Sequence, residues 1–117
     1  MIGSDIARMA ARRRKKEHLL SMADELAEMC TALDDTQAFL RHSLSFHRSV
    51  AAAANNPILS AIFEELVNPR HEEGGNCDPQ ASGLQISIKS HMDIYRAIRC
   101  CDSEAAAEAM VNYFSAA

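Results

Sequence analysis

Ser43-Leu44-Ser45-Phe46-His47-Arg48-Ser49-Val50, running on through Ala51–Ala54 into Asn55-Asn56-Pro57-Ile58-Leu59, is the stretch that sets the fold class. Phe46, Val50 and Ala54 recur at helical spacing and mark one buried stripe. His47 lies beside that stripe, and Ser43, four residues earlier, shares its face. Asn56 suits an N-cap and Pro57 a first helical position, so one helix ends and another begins there. A second histidine, His91, heads a similar apolar stretch. Two imidazoles on separate inward-facing helices can meet across one pocket.

Working outward, the composition agrees with helices. The 117 residues fit one domain, 1–117, long enough to bury a core. Apolar residues make up 48%, with much alanine, methionine and leucine and few β-branched residues, which favours helix over strand. The expected fold is all-α, an antiparallel bundle of about five to six helices. A formal net charge of −4 argues against nucleic-acid binding by the surface as a whole. Cys30, Cys77, Cys100 and Cys101 lack zinc-ribbon or redox spacing, and adjacent Cys100 and Cys101 make an uncomfortable disulfide. They read as reduced thiols of a cytoplasmic protein. No apolar run reaches the roughly 20 residues a membrane span requires, and the N-terminus lacks a secretory apolar core.

Before the central stretch, residues 1–4 read as frayed. Ser4 or Asp5 caps a first helix with Ile6, Met9 and Ala10 inward. Arg12-Arg13-Arg14-Lys15-Lys16 is a dense cationic run. No aromatic residues interleave with it, so it reads as a solvated helix end favoured by the C-terminal dipole rather than a nucleic-acid contact. Leu19, Ala23, Leu26, Cys30 and Leu33 form the stripe of a second helix over residues 17–33. Asp34 and Gln37 suggest a capping box opening the central helix, about residues 35–54, with Phe39, Leu40, Leu44, Phe46, His47 and Val50 inward. With Ala51–Ala54 permitting close approach, this helix is expected in the middle of the bundle.

After the corner, Ile58, Leu59, Ile62, Phe63 and Leu66 carry a helix that Asn68-Pro69 ends. Residues 68–83, with Gly74, Gly75, Gly83, Pro69 and Pro79, read as a long flexible loop. His71, Glu72, Glu73, Cys77 and Asp78 within it match no metal geometry, and a solvated loop is the reading. A helix over 84–100 points Ile86 or Ile88, His91, Ile94, Tyr95 and Ile98 inward. Asp102 caps the last helix, whose inner face holds Ala105, Ala106, Ala109, Met110 and Phe114. No glycine-rich phosphate loop or strand-to-helix serine elbow is present. A metal-dependent hydrolase would need a general base near a metal, and no Glu or Asp is spaced to serve both histidines. Taken singly, each histidine reads as a hydrogen-bonded, half-buried side chain; together they could share a zinc or nickel ion.

Two blocks carry a family resemblance. Ser43-Leu44-Ser45-Phe46-His47-Arg48 followed by Ala53-Ala54-Asn55-Asn56-Pro57-Ile58-Leu59 is one. His91-Met92-Asp93-Ile94-Tyr95-Arg96-Ala97-Ile98-Arg99-Cys100-Cys101-Asp102, then Glu104–Ala107 and Ala109-Met110, is the other. In this order, over about residues 5–114, they resemble the FCD domain, the effector-binding domain of FadR-branch GntR-type transcriptional regulators. The resemblance implies a helical bundle, often dimeric, that binds a small organic acid, frequently through a divalent metal such as zinc or nickel. It implies that the chain is not an enzyme. It places Ser43, His47, His91 and Tyr113 around the ligand pocket, with His47 and His91 at two metal-ligand positions. Ser43 stands where the family has aspartate or asparagine, and Tyr113 where it has a third histidine. Serine is a poor neutral ligand and tyrosine, with an ordinary pKa of about 10, resists deprotonation, so the metal is expected to be lost or weakly held. Arg8 and Arg12 are the nearest substitutes for an arginine that often pairs with the effector carboxylate. Cys101 replaces a glycine, a change that costs little if its turn avoids the left-handed conformation. The family's winged-helix module has no counterpart in these residues, so no DNA-binding residues are assigned. The expected partners are a carboxylate effector and a second copy or a full-length regulator. The alternative is a degenerate dimerisation module without ligand.

Overall fold

The computed structural model describes residues 1–68 and 81–115, with the side chains of Ala81 and Ser82 excepted. Among these residues there are six helices and no strand: α1 (Ile2–Arg13), α2 (Lys16–Cys30), α3 (Thr36–Ala54), α4 (Pro57–Val67), α5 (Ala81–Arg99) and α6 (Ser103–Ser115). The all-α bundle expected from composition is the observed fold.

The hub is α1, not the central helix. It packs closely against α3, α4, α5 and α6, whereas α3 packs closely against α1, α2 and α4 and meets α5 and α6 through the Ser43, Phe46 and His47 side chains. Its sequence explains this. Ile6, Ala7, Ala10 and Ala11 are fully buried, and small side chains let neighbouring backbones come close. Gly3 marks the closest approach: a Cβ there would lie 2.8 Å from Phe114 Cε2 and 3.1 Å from Met110 Cγ on α6. Residues 2–4 are therefore not frayed. Gly3 and Ser4 are buried in α1, and Ser4 Oγ donates to the Met1 carbonyl.

Helix ends follow local chemistry. Asp35, not Asp34, caps α3, its Oδ1 accepting from Ala38 N–H at 3.1 Å. With alanine at that third position, no reciprocal box forms. Asn56 Oδ1 accepts from Leu59 N–H and Pro57 opens α4 as its sequence requires. Asp102 Oδ1 accepts from Ala105 N–H at the start of α6. Part of the cationic run has a specific task. Arg13 Nη1 donates to the Ala54 carbonyl at the end of α3, and Arg14 donates to the Ile98 and Arg99 carbonyls at the end of α5. The guanidiniums thereby satisfy the Ala54 and Arg99 carbonyls at those helix ends, and the Ile98 carbonyl accepts from both Arg14 and the Cys101 N–H.

Two apolar stripes differ from their expected positions. On α2 the buried residues are Met22, Leu26 and Met29, with Leu19 and Leu33 packed beside them, and Cys30 is exposed. Stripes 19/22/26/29/33 and 19/23/26/30/33 satisfy helical periodicity equally; methionine has the greater apolar area to bury. On α4 only Phe63 is buried, and Ile58, Ile62 and Leu66 face outward. On α5, Ile86 is exposed and Ile88 half-buried. That helix also starts earlier than expected, so residues 81–83 belong to it and not to a loop. The expected loop's remainder and its His71, Glu72, Glu73, Cys77 and Asp78 lie outside the described residues apart from Asn68.

The α5–α6 turn corrects one further expectation. Cys101 N–H bonds to the Ile98 carbonyl and Asp102 N–H to the Ala97 carbonyl, the paired bonds of a Schellman ending. Cys101 accordingly sits at φ 56°, in the left-handed region that favours glycine.

Candidate functional site

Three helices deliver one cluster of side chains. α3 supplies Ser43 and His47, α5 supplies His91 and α6 supplies Tyr113. His47 and His91 are buried, with ring centroids 5.0 Å apart. The half-buried Tyr113 ring lies 4.7 Å from His47 and 5.0 Å from His91. Phe46 stands edge-on to both imidazoles, and Phe63 edge-on to His47. Spacing pairs Ser43 with His47 on α3, the family resemblance adds His91 and Tyr113, and the fold brings all four together.

The two imidazoles are in opposite states of satisfaction. His91 Nδ1 lies 2.6 Å from the Ser87 carbonyl, which can only accept, so Nδ1 carries the proton. Nε2 is left with its lone pair and accepts from the Ser43 hydroxyl at 2.8 Å. Ser87 was not singled out from the sequence, although it lies one helical turn before His91, where such a bond forms. His47 has neither bond. Both of its ring nitrogens are buried without a hydrogen-bond partner. An unmet buried polar group costs about 1–3 kcal/mol.

Electrostatics keep both rings neutral. Burial, and then the neighbouring His91, push the His47 imidazole well below its ordinary value. Burial pushes His91 down to about 4, while its bond to the Ser87 carbonyl pulls the other way. At neutral pH each ring presents one N–H donor and one lone pair.

Among the described residues the donor set does not fit a resident divalent metal. A zinc centre takes at least three protein ligands. No group of three or more histidine, cysteine, aspartate or glutamate side chains gathers in metal-binding range among the described residues. Ser43 is committed to His91, whose two nitrogens are both in use.

His47 also borders a cleft of about 240 Å³ between α3 and α4. Ala51, Phe63 and Val67 form part of its apolar lining, and Arg48 and Glu64 flank it. Arg48 Nε donates to Glu64 Oε1 at 2.8 Å. Sequence reasoning missed this cleft because it follows from α4 leaning on α3 through one buried residue, Phe63. Arg8 and Arg12, the expected substitutes for the carboxylate-pairing arginine, lie elsewhere. Arg8 pairs with Asp5 and Glu104 at the α1–α6 seam, and Arg12 is exposed at the end of α1.

Comparison with known proteins agrees with this architecture. The FCD domain model matches residues 1–116. The chain is 29% identical over 114 residues to the HTH-type transcriptional repressor NanR of Escherichia coli K12, covering 96% of the chain. It is 27% identical over 115 residues to NanR of Edwardsiella tarda. The chain spans 43–44% of the length of these relatives. The solved structure of E. coli McbR/YncC superposes with a TM-score of 0.81 at 15% identity, over 97% of this chain and 59% of that one. The NanR relatives are transcriptional repressors, and with the FCD domain match this sets the hydrolase alternative aside. From the match along nearly its whole length, the chain belongs to the FCD domain family, the effector-binding module of GntR-type transcriptional regulators.

Proposed function

We propose that this chain senses a small organic acid inside the cell and passes the bound state on through its helical bundle. His47 is the observation that carries this reading. A fully buried imidazole with two unmet nitrogens, beside an open cleft, is costly unless something polar binds there. Bound effector would recover that cost, and α3 would transmit its position to α1, α2 and α4. DNA reading is left to a winged-helix partner domain, in this protein or in one it pairs with.

The donor set supports an effector held by side chains alone, without zinc or nickel. Thermal denaturation against a panel of small organic acids tests the reading. At least one acid should raise the midpoint by several degrees, equally with and without EDTA; a panel that shifts nothing overturns it. Ser43→Asp combined with Tyr113→His should create stoichiometric zinc binding by elemental analysis. Stoichiometric zinc in the unsubstituted protein would overturn the metal-free reading.

A second reading, a dimerisation module with a dead pocket, has one observation in its favour. Ile58, Ile62 and Leu66 line the outer face of α4, 43–76% exposed, as a self-pairing helix would. A second copy is the occupant this reading requires. Sedimentation of Ile62→Asp tests it: a dimer that dissociates, in a protein no acid stabilises, would favour this reading over sensing.

A further inference from the structure

We propose that the α3–α4 cleft selects an α-amino acid with a short, uncharged polar side chain. The inference rests on the effector reading above and adds a location and a ligand class. Four polar side chains line the cleft, Arg48, Glu64, Ser60 and His47, and the Ser60 hydroxyl is already spent on the Ala51 carbonyl. Arg48 and Glu64 are at the opening, with side chains 54% and 43% exposed. Apolar Ala51, Phe63 and Val67 line it too, and His47, which borders it, is buried.

Each feature restricts the ligand. A simple carboxylate on Arg48 would have to share the guanidinium with Glu64, and two anions on one cation repel. A zwitterion resolves this. Its carboxylate takes the Arg48 fork and its ammonium takes Glu64, so both charges stay paired when the existing ion pair opens. That pair is exposed, so little is lost in parting it. The apolar walls suit methylene or methyl groups. A neutral His47 at the same cleft offers one donor and one acceptor, both unmet. A hydroxyl or carboxamide supplies the matching acceptor and donor, whereas an alkyl tip leaves both nitrogens stranded. The volume, about 240 Å³, equals that of roughly eight waters and admits serine, threonine, asparagine or glutamine.

Calorimetric titration of the whole chain tests this with those four amino acids, with leucine, and with two fragments of glutamine. The fragments are glutaramate, which lacks the α-amino group, and γ-aminobutyramide, which lacks the carboxylate. At least one of the four should bind, about tenfold or more tighter than leucine, and glutamine should exceed both fragments by a similar factor. Arg48→Gln should weaken glutamine and glutaramate alike. Glu64→Gln should weaken glutamine and strengthen glutaramate, because the competing anion is gone. Both substitutions are at half-exposed positions and leave the core intact. Equal binding of glutamine and glutaramate, or affinities unchanged by both substitutions, overturns the assignment. An organic acid that still stabilises Arg48→Gln as it does the unsubstituted protein overturns the cleft while leaving effector sensing in place. If none of the four amino acids binds, the ligand class is wrong, whatever the acid panel shows.

Discussion

At the scale of single residues, the two histidines show how burial decides chemistry. His91 is buried with both nitrogens bonded, His47 with neither. The first is fully hydrogen-bonded and the second keeps two unmet nitrogens. Their depressed pKa values also set the acid stability. A histidine unfolded at about 6.5 but folded near 4 binds its proton more readily when unfolded. The native state is therefore fully favoured above pH 6.5 and loses stability as pH falls towards 4. For His91 alone the loss is on the order of 3 kcal/mol. Urea unfolding at pH 7 and pH 4.5 should show it, and His91→Asn should flatten the profile; a pH-independent midpoint would contradict the burial argument. Cys101 makes a second residue-scale prediction. Left-handed backbone costs a residue with a Cβ roughly 1–2 kcal/mol that glycine avoids. Cys101→Gly should stabilise by about 1 kcal/mol and raise the melting temperature by about 4 °C. The sequence showed a non-glycine at this corner, but not the sign of its φ, which depends on how tightly α6 folds back on α5.

At the scale of helices, existence and type were legible and rotation was not. The caps at Asn56 and Asp102 are where the residues place them, because capping is local. The inner faces of α2 and α4 are set by what packs against them. Periodicity alone left two rotations of α2 equally good, and it turned α4's isoleucines inward although that helix touches only α1 and α3 strongly. The importance of α1 was also hidden, since a stripe of glycine and alanine carries little hydrophobic signal. Its role is to let four helices approach. Gly3→Ala tests this. The added methyl would gain about 1 kcal/mol of helix propensity. It would also meet Phe114 at 2.8 Å, and overpacking of that kind costs about 1–3 kcal/mol. The expected result is a net loss of about 1 kcal/mol in chemical denaturation; a gain would mean that α6 moves away at no cost.

At the scale of the molecule, a bundle packed around a thin helix brings residues from α3, α5 and α6 to one interior point. Ser43 and His47 could be paired from their spacing, and the family resemblance supplied His91 and Tyr113. Neither source supplied the cleft, because a cavity is what packing leaves over. Its polar features come from side chains that look unremarkable in sequence: an arginine following a histidine, and a glutamate on the next helix. The central claim is that His47 is the buried contact an effector satisfies. Histidine-ring nitrogen NMR tests it most directly, with spectra taken before and after saturation by whichever acid raises the melting temperature. The account predicts that the His47 ring nitrogens shift on binding while His91 keeps its proton on Nδ1. A saturated complex in which the His47 resonances stay where they were in the free protein would contradict it.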